Sequence, residues 1–143
     1  MKDLRIYCDG SRDDLGNLGV GIVFVSNNEV IKTFSYGLPF KGESYIAEFS
    51  AILIALSLIN SYVENVTICT DNVCAVGIVM GESGLSPKHA FLGPLCTLLK
   101  ESVQNINCKR VRFEKVKSHS SDTFHNLADK WADEGRKSLI EDE

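Results

Sequence analysis

No stretch of this 143-residue chain is apolar for long enough to cross a bilayer, so a membrane-spanning helix is not expected. The opening Met1-Lys2-Asp3-Leu4-Arg5 leads directly into a strand-like run and lacks a signal-peptide core. Cysteines are unpatterned: the five, at 8, 69, 74, 96 and 108, are odd in number and include no CxxC pair. They read as reduced, mostly buried small hydrophobes of a cytoplasmic protein, with no structural zinc site. Linkers, repeats and low-complexity segments are missing as well, so residues 1–143 read as one domain. Positive charge is short: 15 Lys and Arg against 19 Asp and Glu leave a net charge of −4. That argues against a broad basic surface, so any hold on a polyanion must come from divalent cations or a local Lys/Arg strip.

What is present is the composition of an ordinary globular protein, 44% hydrophobic and 24% charged. A chain of this length buries roughly 68–70% of its unfolded surface, enough for one core. Residues 4–9 suggest a first strand, followed by a turn-rich loop over 10–17. A second strand over 19–26 and a third over 30–37 flank Asn27-Asn28, a tight-hairpin signal. The period then changes: Phe49, Ile52, Leu53 and Leu56 fall on one stripe, predicting a helix over 44–60 with Ser44 as its N-cap. A β-branched fourth strand covers 65–70, helices follow at about 72–81 and 88–103, a fifth strand covers 109–117, and a last helix covers 124–138. This βββαβααβα order implies an α/β fold. Strands 1–3 form an antiparallel meander, strands 4 and 5 add parallel to strand 1 through right-handed crossovers, and helices cover both faces. Strand 1 should lie at the centre.

Four acids stand out from this frame. Asp9 ends the first strand against Gly10, and Asp71 follows the apolar fourth strand, so parallel neighbours would bring both to one sheet edge. Glu48 shares a helix face with Ile52 and Ala55, where an uncompensated carboxylate is costly. Asp129 opens the final helix. Any one of these alone reads equally as a cap or a solvated strand end. Together they form a cluster that would repel itself unless divalent cations satisfied it. A set of hard oxygens selects Mg²⁺, with Mn²⁺ as a substitute, over zinc. Two such ions about 3.5–4 Å apart can clamp a phosphodiester for hydrolysis.

The segments Tyr7-Cys8-Asp9-Gly10-Ser11, Ala47-Glu48-Phe49-Ser50-Ala51, Thr70-Asp71-Asn72 and Lys117-Ser118-His119…Ala128-Asp129 resemble the four motifs of type 1 ribonuclease H, including the reverse-transcriptase domains. The resemblance covers nearly the whole chain, and the motifs are specific jointly, not singly. It implies the ribonuclease H-like fold and a nuclease that cuts the RNA strand of RNA–DNA hybrids, leaving 5′-phosphate and 3′-hydroxyl ends. It also implies that Asp9, Glu48, Asp71 and Asp129 bind two magnesium ions. His119, ten residues before Asp129, matches the family's loop histidine and would aid proton transfer or product release. Gly10, Ser11, Asn17, Ser44, Asn72 and Lys117 are the candidate substrate contacts. His125 stands where the family usually has Asn and reads as structural or substrate-facing; Asp133 reads as a solvated decoy.

Several positions depart from the family pattern. Glu43 precedes the helix where phosphate-binding residues are common, and Val73 replaces a frequent Gln. The basic, Trp-containing protrusion of many relatives has no counterpart in 81–95, and the single Trp131 reads as core packing. Local basicity is confined to Lys109, Arg110, Arg112, Lys115 and Lys117, which serve equally as a nucleic-acid track or as protection of an edge strand. Two alternatives therefore stand beside hybrid cleavage: a nuclease of the same fold acting on DNA or other RNA, and a non-catalytic hybrid-binding module. A monomer is the expected state.

Overall fold

The computed structural model describes residues 1–72, 75–77, 91–116 and 122–141. Strands β1 (Asp3–Arg12), β2 (Asn17–Ser26) and β3 (Glu29–Lys41) precede helix α1 (Ser44–Ser57) and strand β4 (Val63–Thr70). Helix α2 (Gly93–Gln104), strand β5 (Cys108–Lys115) and helix α3 (Thr123–Glu141) complete the order. Residues 75–77 are also helical; the remainder of the helix expected near 72–81 lies outside the described residues.

The five strands form one sheet in the order β3-β2-β1-β4-β5. β1 is central, antiparallel to β2 and parallel to β4, and β5 adds parallel to β4. The expected mixed α/β architecture is therefore present. Asn27 and Asn28 both adopt positive φ, 52° and 62°, as a two-residue hairpin requires.

Element limits differ from expectation for identifiable reasons. Half of the supposed loop over 10–17 is strand, because Gly10, Ser11 and Arg12 keep pairing with Val20, Gly19 and Leu18 and β2 already begins at Asn17. Only residues 13–16 turn, closed by Asp13, whose carboxylate accepts the Asn17 backbone N–H at 2.8 Å. β3 runs on to Lys41, α1 stops at Ser57, and α2 begins only at Gly93. Glu43, in extended conformation, occupies the N-cap of α1 without a side-chain hydrogen bond, and Ser44 is the first helical residue. The helix needs no cap from Ser44 because Ala47, Phe49, Ala51, Ile52, Ala55 and Leu56 anchor it by burial.

The sheet separates two apolar layers. Leu4, Ile6 and Cys8 of β1 face α1 and α2, together with Ile22, Phe49, Ile52, Ile68, Leu99 and Phe113. Tyr7, Val23, Val25 and Cys69 face α3, where Ala128 packs and Trp131 is partly buried, in its expected packing role. Cys8, Cys69 and Cys96 are buried and Cys108 is half-buried, none of them in a disulfide.

Two positions without a Cβ govern how closely the helices approach. At Gly10 an added Cβ would lie 2.6 Å from the Ala47 carbonyl carbon and 2.7 Å from the Glu48 nitrogen. At Gly21, the cross-strand partner of Asp9, it would collide with the backbone of Ala128 and Ala132 in α3. Backbone cannot yield as a flexible side chain can, so Gly21→Ala should lower the unfolding free energy by about 2 kcal/mol. Gly42→Ala, whose Cβ would meet only side-chain atoms at 3.4 Å or more, should change it by less than about 0.5 kcal/mol in the same urea titration.

Candidate active site

The strand register brings the first two acids together. Parallel pairing of β1 with β4 ends at Tyr7 and Cys69, and Asp9 and Asp71 each lie two residues beyond that pair. Strand alternation gives Asp9 the side of Tyr7, the α3 side of the sheet. Glu48 comes from α1 on the opposite side and reaches the edge over bare Gly10. Asp129 lies in the second turn of α3, not at its opening, because the helix starts at Thr123. Asp122 sets that start: its carboxylate accepts the backbone N–H groups of Phe124 and His125 at 3.0 and 3.1 Å.

The result is a cleft of about 190 Å³ lined by Asp9, Gly10, Glu48, Asp71, His125, Asn126 and Asp129. All four acids singled out in the sequence line it. Asp9 is only 9% exposed, and one of its oxygens accepts the Gly10 N–H at 3.0 Å. Burial, followed by the charge of Asp71 and contact with Asp129, pushes its carboxyl up to about 8. Glu48 is also raised, first by burial and then by Asp71. Among the described residues no Lys or Arg pairs with any of the four. Half-buried carboxylates with no basic partner fit a divalent cation: the donors are hard oxygens, and a cation would remove the repulsion that raises Asp9.

The other sequence candidates fall around this cleft. The Ser11 hydroxyl donates to Asp133 at 2.5 Å and accepts from Arg136 at 3.0 Å. Asp133 is therefore not a solvated decoy; it ties β1 to α3, with Arg136 also 3.6 Å from Asp13. The Asn17 amide donates to Asp13 at 2.9 Å, which holds the turn and keeps the Asp13 carboxyl below the usual range. Asn72 accepts the Ala75 N–H at 3.1 Å, capping the helical turn after Asp71. Ser44 is exposed at the head of α1. His119, Lys117 and Val73 lie outside the described residues, as does most of the region expected to lack a basic protrusion. Sequence reasoning missed Asn126, Asp122 and the Ser11–Asp133–Arg136 contacts. His125, read as structural or substrate-facing, is a buried ring that lines the acid cleft.

A mixed sheet presenting acids from its central strand, a parallel neighbour and both covering helices defines an α/β protein with a carboxylate-centred site. The chain belongs to the RNase H family, whose profile matches residues 1–137, and it is a ribonuclease hydrolase. Its fold is similar to RNase H1 of the archaeon Halobacterium salinarum, at TM-score 0.77 and 16% identity over 95% of this chain and 98% of that one. It is also similar to the N-terminal RNase H domain of a Mycobacterium tuberculosis protein, at 0.76 and 16% identity over 98% and 97%. LC11-RNase H1, solved in complex with an RNA/DNA hybrid, superposes at 0.67 with 18% identity over 95% and 99%. No curated protein matches by sequence.

The raised Asp9 carboxyl has a stability consequence in metal-free protein. Folded Asp9 titrates near 8 against a reference of 3.8, so between those values the folded chain keeps a proton that the unfolded chain has lost. Its contribution is therefore full below about pH 4 and is lost as pH rises through about 8. In EDTA, Asp9→Asn should melt about 4 °C or more above wild type at pH 8 and within about 1 °C of it at pH 4. Equal melting temperatures at pH 8 would contradict the reading.

Proposed function

We propose that this chain is an endoribonuclease that hydrolyses the RNA strand of RNA–DNA hybrids, leaving 5′-phosphate and 3′-hydroxyl ends. The observation that carries the reading is the convergence of Asp9, Glu48, Asp71 and Asp129 in one cleft of an RNase H family chain. The hybrid-bound structure of LC11-RNase H1 supports the substrate. In this reading the four carboxylates hold two Mg²⁺ ions, which Mn²⁺ can replace. Bound there, the ions supply an activated water and charge stabilisation for the leaving 3′-oxygen.

The chain's own residues do the rest. Gly10 lines the cleft beside the acids, and Ser44 offers an exposed hydroxyl at the head of α1. Ser11, Asn17 and Asn72 contribute by fixing the segments next to the cleft, and Lys117 adds a cation for the backbone. His119 moves a proton or eases product departure. Discrimination for RNA rests on the 2′-hydroxyl. The whole of 1–143 acts as one domain, a cytoplasmic monomer, and an apparent mass well above 15.8 kDa in size-exclusion chromatography would contradict the last point.

Glu43, an acid at the N-cap of α1, favours one second reading, in which the same centre acts on DNA or structured RNA. Labelled RNA–DNA hybrid, double-stranded RNA, double-stranded DNA and single strands, each incubated with Mg²⁺ and with Mn²⁺, separate the two. Hybrid cleavage should predominate and fall by about 10³-fold in Asp9→Asn. Comparable cutting of duplex DNA would establish the second reading, and no cutting at all would leave a binding module. His119→Ala should retain activity with slower turnover; an unchanged rate would remove it from the machinery.

Hybrid affinity should be weak and strongly salt-dependent. Exposed Lys109, Arg110, Arg112 and Lys115 lie on edge strand β5 of a chain whose net charge is −4. Each phosphate they neutralise adds about 0.7–0.9 to the slope of log affinity against log salt. Nanomolar binding that ignores salt would contradict this.

A further inference from the structure

His125 is 3% exposed and lies on the first turns of α3, inside the acid cleft. Its Nε2 stands 3.8 Å from an Asp71 carboxylate oxygen, too far for a hydrogen bond. Its Nδ1 is buried with no hydrogen-bond partner among the described residues. The ring therefore carries the cost of burial with Nδ1 unpaired among the described residues, while Nε2 faces the Asp71 carboxylate. One donor atom each from Asp9, Asp71 and His125 lie within 4.8 Å of one another. Six-coordinate divalent ions bind at about 2.0–2.2 Å, so their ligands stand roughly 3–4.3 Å apart. The three donors need only a small contraction to share one ion.

We propose that Asp9, Asp71 and His125 form a mixed oxygen–nitrogen metal site in this chain, which favours transition divalent ions over Mg²⁺. The inference rests on the carboxylate metal centre proposed above and adds a ligand to it. Mg²⁺ is hard and gains little from an imidazole, whereas Mn²⁺ and, more strongly, Zn²⁺ accept nitrogen readily. Asp122 supports the geometry by fixing the backbone N–H of His125 at the helix start, which limits where the ring can go. α3 also carries Asp129 and already packs on the bare backbone of Gly21, the cross-strand partner of Asp9, so His125 is held on the same rigid helix as another of the acids.

The test uses the full metal-free chain with Mn²⁺ alone, without nucleic acid, read by electron paramagnetic resonance. Wild type should bind Mn²⁺ with a ¹⁴N coupling characteristic of imidazole. His125→Asn should lose that coupling and weaken Mn²⁺ binding by about 10-fold. Mg²⁺ affinity, measured by competition against Mn²⁺, should change less than about twofold, since little of it comes from nitrogen. His125→Gln serves as the second variant, and thermal melts in EDTA establish that each is folded. Mn²⁺ bound without ¹⁴N coupling, yet weakened by Asp71→Asn, overturns the inference and leaves the carboxylate centre standing. Coupling that persists in folded His125→Asn or His125→Gln overturns it too, since the nitrogen then comes from elsewhere. Failure of wild type to bind Mn²⁺ overturns both readings.

Discussion

How closely two helices can approach one strand determines everything at this site. β1 carries Asp9, but Glu48 and Asp129 belong to helices on opposite faces of the sheet. They meet Asp9 only because the backbone is bare where each helix crosses: Gly10 under Ala47 and Glu48, and Gly21 under Ala128 and Ala132. The small residues on both sides of each crossing are thus part of the site's geometry, although none carries chemistry. Asp71 arrives by a different route, through the parallel register that also fixes the order of the sheet.

That convergence has an electrostatic cost. Burial and mutual repulsion raise Asp9 and Glu48, and no described Lys or Arg offsets them. A fold maximising its own stability would place apolar or paired groups there. The surrounding contacts are instead well satisfied: Ser11, Asp133, Arg136 and Asp13 link the β1–β2 end to α3, and Asp122 caps that helix. The electrostatic cost falls on the cleft while these contacts hold its frame, the pattern expected where function sets residue choice.

Much of this was legible in the chain because its signals are local. Period-2 runs gave the strands, the change to a 3.6 period gave α1, and an acid directly after an apolar strand marked Asp9 and Asp71. The parallel placement of β4 followed from the helical crossover before it. Features that depend on cross-chain packing were not legible. Asp133 looked solvated because its partners, Ser11 and Arg136, meet it only in the folded sheet–helix sandwich. The burial of His125 depends on where Asp122 starts α3, a matter of one or two residues. The loop expected over 10–17 was mistaken because Gly10 and Ser11 are turn-like in composition yet are held in strand by β2. Asn17 and Asn72 carry turn and cap duties that a motif comparison cannot distinguish from substrate contact.

In the proposed function, selectivity falls to a second group of residues around the centre of four acids. Glu43 at the head of α1 and His125 within the cleft are features by which this chain departs from its family's usual pattern. The central claim, that the four acids act together as one cation-holding centre, is tested most directly by anomalous diffraction at the manganese edge. The crystal would contain the chain with Mn²⁺ and an uncleaved hybrid. The account predicts anomalous density within bonding distance of oxygens from Asp9, Glu48, Asp71 and Asp129, next to the scissile phosphate. Density elsewhere, or ordered hybrid with the four carboxylates free of metal, would contradict it.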